Sequence, residues 1–295
     1  MRHFINPTID CVFKAILGSQ ENIDLLCHFL NGILSPLAPI TSVEILNPYN
    51  EREFLTDKLS VVDIKAKDQN DISYQIEIQM SLPSYLRQRM LYTWGKIYQA
   101  PMKKGKEYNK LKPVISIWLL TDNLFDKRSK FNHCFKLIDS EDQQLLTDDL
   151  AIHVIELKKW KAPDTLKSGD VLKAKDIWPC LFANGKNLKH LPDYMNTPEM
   201  RKVMKILERF SEQEREYLMY HDREDFLREQ RTRDSMLKES EVRAEELKIQ
   251  MEESESRLEA SESKLEASES KLEASEAEKQ HLLELLRKAG ISPKV

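Results

Sequence analysis

The sequence predicts an α/β core followed by a helical segment and a long C-terminal helical tail, and three patterns predict it. The stretch VVDIKAKDQNDISYQIEIQM, from Val61 to Met80, alternates apolar and polar residues in two arms around a polar turn, as a β-hairpin does. VISIWLL, at 114–120, is a β-rich apolar run suited to a buried central strand. From Ser235 onward the chain is charged and almost free of breakers; over all 295 residues there are only 7 glycines against 32% charged residues, a balance that points to long solvated helices.

Each element has its own signal. Cys11 to Leu17 form a short helical pattern that breaks at Gly18, and Ser19 offers an N-cap to a second helix. Leu25, Leu26, Phe29, Leu30, Ile33 and Leu34 make that helix's apolar stripe, and Pro36 and Pro39 end it. A strand is expected near Ser42 to Leu46, then the hairpin. After Pro83 and Ser84 comes a helix whose Leu86, Met90, Trp94, Ile97 and Met102 face inward. The basic loop KKGKEYNKLKP leads into VISIWLL, and HVIEL, from His153 to Leu157, reads as a further strand. Helical patterns then take over in WPCLF, MRKVMKILERF and EREYLMYHDREDFLREQRTRD. The expected division is a core over 1–161, a helical segment over 162–234 and a tail over 235–295.

The tail contains SRLEASE, SKLEASE and SKLEASE in succession. One Leu per heptad (Leu258, Leu265, Leu272) makes a weak coiled-coil seam, and neither Lys264 nor Lys271 has a glutamate three or four residues away. The tail is therefore helical by propensity. Leu282, Leu285 and Leu286 add a short apolar patch, so self-association through the tail is expected to be weak.

Charge and cysteine content narrow the class. Between Glu239 and Ala289 there are 15 acids and 8 bases, so the net −4 of the whole chain hides a remainder of +3. That suits local binding of a polyanion but falls short of a dedicated, strongly basic nucleic-acid binder. Four scattered cysteines without CxxC spacing, no apolar run of membrane-spanning length and no secretory h-region point to a reducing, cytoplasmic setting without a membrane. His133 beside Cys134 lacks partners at zinc-ligand spacing, and His153 in its strand pattern reads as a core histidine.

The hairpin carries the chemistry. Parity around Asn70 sets Asp63 opposite Glu77, Lys65 opposite Gln75, Val61 opposite Gln79, Ile64 opposite Ile76 and Ala66 opposite Tyr74; a one-residue slip would send the apolar faces to opposite sides. Like charges facing each other repel, so two acids on neighbouring strands call for a cation between them, and a hard ion such as Mg²⁺ accepts such oxygens. Gln79 on the same face can orient a water or a phosphate oxygen, and Lys65 can stabilise developing negative charge. Charge on a strand face is also what a solvated hairpin displays, and the spacing alone favours that plainer reading.

Taken together, PTIDCVFKAILGSQENIDLLCHFLNGIL, VVDIKAKD, IEIQM, RQRMLYTWGKIYQ and GKEYNKLKPVISIWLL, in this order, resemble the PD-(D/E)XK nuclease family transposases, also called the recombination-promoting nuclease family. WPCLF, LKHLPDYMNTPEMRKVMKILERFSEQEREYL and HDREDFLREQ resemble the helical segment that comes after the core there, so the resemblance covers roughly Ile5 to Arg231. It implies a restriction-endonuclease-like PD-(D/E)XK core and a metal-dependent DNA endonuclease using Mg²⁺ or another divalent cation such as Mn²⁺. Asp63 and Glu77 then stand at the metal-binding acids and Gln79 at the superfamily's lysine, a departure this family shares, which leaves Lys65 as a candidate for the missing charge. Asp10 resembles an additional acid of the first helix, although an acid there also suits the helix dipole. Arg89, with Tyr92 and Tyr98, matches an R…Y pattern; it can meet phosphate or pair with a core acid. Lys103, Lys104 and Lys106 are candidate contacts to the DNA backbone, or simply solvated lysines. The alternative to an enzyme is a catalytically silent DNA-binding or assembly protein that keeps the fold and associates through its tail.

Overall fold

The computed structural model describes residues 3–47, 63–102, 107–167 and 169–288. The chain divides into two compact units, Met1–Thr232 and Arg233–Val295.

Among the described residues the first unit is built on a six-stranded mixed sheet. Its strands are β1 (Val43–Ile45), β2 (Ile64–Asp68), β3 (Ser73–Gln79), β4 (Val114–Leu120), β5 (Asn132–Phe135) and β6 (Leu150–Glu156), in the order β1-β2-β3-β4-β6-β5. β2 pairs antiparallel with β1 and β3, β4 runs parallel to both β3 and β6, and β5 closes the edge antiparallel to β6. The predicted hairpin forms in the expected register, with Ile64 opposite Ile76, Lys65 opposite Gln75 and Ala66 opposite Tyr74. The turn reverses at Asp71, which takes a left-handed φ of 62°, while Asp68 Oδ1 accepts from the N–H groups of Asn70 and Ile72. β4 is central, as its apolar run requires. β6 starts three residues before the expected His153, and β5 was not foreseen, because NHCF carries no alternation that marks a strand.

Among the described residues the α-helices are α1 (Asp10–Leu17), α2 (Ile23–Leu34), α3 (Leu86–Gln99), α4 (Ala174–Asn184), α5 (Pro198–Glu212) and α6 (Glu214–Lys288). Ser19 makes no side-chain cap, whereas Thr197 caps α5 by accepting from the N–H of Met200. α2 packs on α4, and α1 packs on α2 and α5. Gly32 makes the first contact tight: a Cβ there would lie 2.6 Å from the carbonyl oxygen of Ala174, so only glycine fits.

Two cores lie on opposite faces of the sheet. Ile64, Ala66, Tyr74, Ile76, Ile78, Ile117 and Leu119 join α1, α2, α4 and α5 in the larger one. On the other face Leu86 and Met90 of α3 cover Trp118, Leu120, Leu150, Ile152 and Val154. Each such large apolar side chain stabilises the fold by about 1.5–3 kcal/mol on burial. Trp94 packs against this second core only half-buried, Ile97 is likewise half-buried, and Met102 lies beyond the helix end. His153 is not the satisfied core histidine expected: among the described residues its buried Nδ1 has no hydrogen-bond partner, and burial lowers its pKa to about 4.

α6 contains the repeats. Leu258, Leu265 and Leu272 expose 60%, 62% and 64% of their surface, as a seam of one Leu per heptad leaves them.

Candidate active site

The polar face of the hairpin is buried at its acids. Gln75 is fully buried, Asp63 is 3% exposed and Glu77 is 5% exposed, while Lys65 and Gln79 on the same face are half-buried, so the face is not the fully solvated one that the plainer reading expects. Alternation in the sequence reports polarity, not exposure; α3 and the central position of β3 bury the polar side as well. β3 lies between β2 and β4, and its side chains 75, 77 and 79 share the α3 face with Ser116, Trp118 and Leu120 of β4.

Asp63 directly precedes β2, and the ladder continued by one residue sets it beside Glu77. Asn47 fixes this point by hydrogen bonds to the backbone: its Nδ2 donates to the carbonyl of Asp63 (2.7 Å), and its Oδ1 accepts from the N–H of Lys65 (2.7 Å). Two residues along the same face, Lys65 Nζ reaches Asp63 Oδ2 at 3.2 Å. On β3, Glu77 Oε1 pairs with Arg89 Nη2, and Glu77 Oε2 accepts from Gln75 Nε2 at 3.4 Å. Arg89 Nη1 also donates to Gln79 Oε1 (3.2 Å), so one guanidinium spans both predicted β3 site residues. The guanidinium lies over the Trp118 ring, 5.6 Å from its centroid, which holds it on the sheet. Behind the pair, Ser116 Oγ donates to Gln75 Oε1 at 3.0 Å.

Burial pushes the Glu77 carboxyl up to about 7; Arg89 pulls it back, Asp63 pushes it further and Lys65 pulls it down. Cationic help is present but insufficient to hold Glu77 in the ordinary carboxylate range. Such a pair of hard oxygen donors fits a divalent cation of the Mg²⁺ or Mn²⁺ type. Among the described residues no set of three or more His, Cys, Asp or Glu side chains is arranged to hold a metal.

Of the other sequence candidates, Asp10 is buried and held by Arg223 of α6 in an ion pair, with Cys11 N–H donating to its Oδ1 at 2.8 Å. Burial raises its pKa despite Arg223, that N–H and Lys14. Arg89 takes the pairing role with a core acid. Tyr98 donates to Asp149 Oδ2 at 2.6 Å, and Tyr92 is exposed. Lys103, Lys104 and Lys106, and the partner of Gln79 expected at Val61, lie outside the described residues. Sequence reasoning gave no role to Gln75, Ser116 or Asn47. Ser116 had a usable signal, as the one polar residue inside VISIWLL; Asn47 had none, since its target is backbone.

A mixed sheet flanked by helices on both faces, with two buried acids on neighbouring strands beside a glutamine, a lysine and an arginine, defines an α/β protein of the PD-(D/E)XK fold class. The model of the PD-(D/E)XK nuclease family transposases matches residues 7–239, and the chain belongs to that family. Neither a curated protein nor a solved structure matches the chain. Membership makes it a nuclease-type protein, with DNA as the class of partner and, as PD-(D/E)XK nucleases generally use divalent cations, a divalent cation as the class of cofactor. Among the described residues no helix is long and apolar enough to cross a membrane.

Proposed function

We propose that this protein is a metal-dependent DNA endonuclease of the recombination-promoting type, hydrolysing phosphodiester bonds at the α3 face of β2 and β3. The observation that carries this reading is the juxtaposition of two buried carboxylates, Asp63 and Glu77, on neighbouring strands. They are the residues that would hold Mg²⁺ or Mn²⁺; when bound, the ion supplies a Lewis acid that activates water and neutralises phosphate charge. Gln79 orients the attacking water or a phosphate oxygen through its amide. Lys65, beside Asp63, places positive charge where the transition state gains negative charge. Arg89 holds Glu77 and Gln79 in position from α3. Asp10, locked by Arg223, acts on the fold of α1 against α6. The core is taken as 1–161, with 162–234 supporting it and the tail over 235–295 supplying at most weak self-association in the cytoplasm.

The deciding experiment is nicking of supercoiled DNA with Mg²⁺ or Mn²⁺ by the full chain and by Asp63→Ala. Equal activity of the two would place the chemistry elsewhere. A second reading, a silent DNA-binding or assembly protein, is favoured by one observation: Arg89 already occupies a Glu77 oxygen and the Gln79 carbonyl. Calorimetric titration separates the two, because a silent protein takes up neither metal at the hairpin, whereas the enzyme loses that uptake in Asp63→Ala.

A further inference from the structure

The end of the sheet next to the candidate site carries a second organised feature. Gln79, Leu120 and Glu156 share one rung across β3, β4 and β6. Two strand spacings put the Glu156 position about 10 Å from Gln79. From this rung the chain leaves β4 into a loop, Thr121–Phe131, that starts in contact with the catalytic strand: Thr121 N–H donates to the carbonyl of Gln79 at 3.1 Å.

The loop is pinned from beneath. Glu156 Oε1 accepts from the N–H groups of Leu124 (2.6 Å) and Phe125 (2.9 Å), and Lys159 Nζ reaches both the Phe125 carbonyl (2.5 Å) and Glu156 Oε2 (2.8 Å). From above, Arg87 and Arg128 lie over the Phe125 ring at 5.7 and 5.6 Å, and Arg87 Nη2 donates to the carbonyl of Leu124 at 3.2 Å. Arg87 sits in the first turn of α3, two residues before Arg89. The site and the loop are thus joined by one helix end.

What this rigid base presents to solvent is positive. Asp122 is paired with Lys158 at 2.8 Å, and Glu156 is paired with Lys159. Lys127, Arg128 and Lys130 are exposed, as is Arg87, and among the described residues no ion pair engages any of these four; Asp126 lies beside Lys127 in sequence, and Asp122 is taken up by Lys158. A loop held rigidly yet crowned with unneutralised cations suits a repeating anionic surface better than a fold-stabilising role, for which the charges would be paired.

We infer that this platform, Arg87 with Lys127, Arg128 and Lys130, grips the backbone phosphates of duplex DNA beside the scissile bond. The inference rests on the endonuclease reading for its partner, not for its geometry.

The test is equilibrium binding of a fluorescent 30-base-pair duplex by the full chain in EDTA, over a series of salt concentrations. Lys127→Gln/Lys130→Gln should bind roughly tenfold more weakly and flatten the salt slope by about 1.8, or 0.9 for each lost phosphate contact. Lys173→Gln/Lys175→Gln, the same charge change at the start of α4 on the opposite face, should bind as the parent does. Melting temperatures of all three proteins should coincide, and Lys130→Gln alone should give about half the change in slope. If the loop variant binds no differently from the control variant, or the parent binds no duplex, the inference is overturned. Loop-dependent binding without nicking in Mg²⁺ or Mn²⁺ would support the platform while removing the endonuclease reading.

Discussion

Glu77 and Glu156 are two buried acids near the same end of one sheet, and their surroundings push them in opposite directions. Glu156 is fully buried, and four donors fill its lone pairs: the N–H groups of Leu124 and Phe125 on Oε1, and Lys159 Nζ and His133 Nε2 (3.1 Å) on Oε2. Burial alone would raise its pKa, but Lys159 and the two N–H groups outweigh burial and bring it below the ordinary value. Glu77, just as hidden, has Arg89 and one long contact from Gln75, faces Asp63, and is raised to about 7. A carboxylate with every lone pair supplied is a structural pin. One that is undersupplied beside a second acid has capacity left for a ligand, which separates the two roles without reference to sequence.

Substitutions can break this contrast in order of effect. Glu77→Ala should reduce cleavage on the order of 100- to 1000-fold, the scale on which loss of a single electrostatic element acts, while the variant still unfolds in one cooperative thermal transition. Gln79→Ala should lower turnover while calorimetry shows metal affinity nearly intact, since the charge that holds an ion belongs to the acids. Glu156→Gln should instead destabilise the fold by about 3 kcal/mol in urea unfolding, because it strands Lys159 and unseats the 121–131 loop. A cleavage defect in Glu156→Gln larger than its unfolding explains would erase the distinction.

Acidity sharpens the comparison. The raised Glu77 binds its proton more tightly when folded, so its contribution to stability is present below pH 4.5 and is lost as pH rises through about 7. Without metal, the wild type should lose up to about 3 kcal/mol over that window relative to Glu77→Gln, read from urea midpoints at several pH values. Glu156, being lowered, carries the opposite sign: its contribution is present above the unfolded value of 4.5 and is lost as pH falls. Smallest of all is the tail. Removing 239–295 should move the melting temperature of the remainder by no more than about 2 °C, because the side chains over that span are exposed or at most half-buried among the described residues. A large fall would show that the tail packs on the core.

Much of this was legible in the sequence because the hairpin is local. Period two fixed the register of β2 on β3, and hence the meeting of Asp63 with Glu77, within a span of 15 residues. Burial of the polar face was not legible, because it depends on α3 and on a parallel neighbour, β4, more than 30 residues away. The four donors of Glu156 come from an unforeseen strand, a loop and a 3₁₀ turn, and no spacing rule connects them. Arg89 was legible as a choice between two partners, and in the structure it pairs with the core acid Glu77.

The repeats of the tail have a mechanical meaning that neither affinity nor catalysis expresses. Seven residues make just under two helical turns, so adding or removing one unit of Ser256–Glu276 turns the downstream helix by only about 20° while shifting it by about 10.5 Å along the axis. Length and facing are therefore almost independent variables in this helix. Because the leucine of each unit is exposed, gaining or losing one unit would change the length of the segment by a fixed step while hardly changing the direction in which its far end faces.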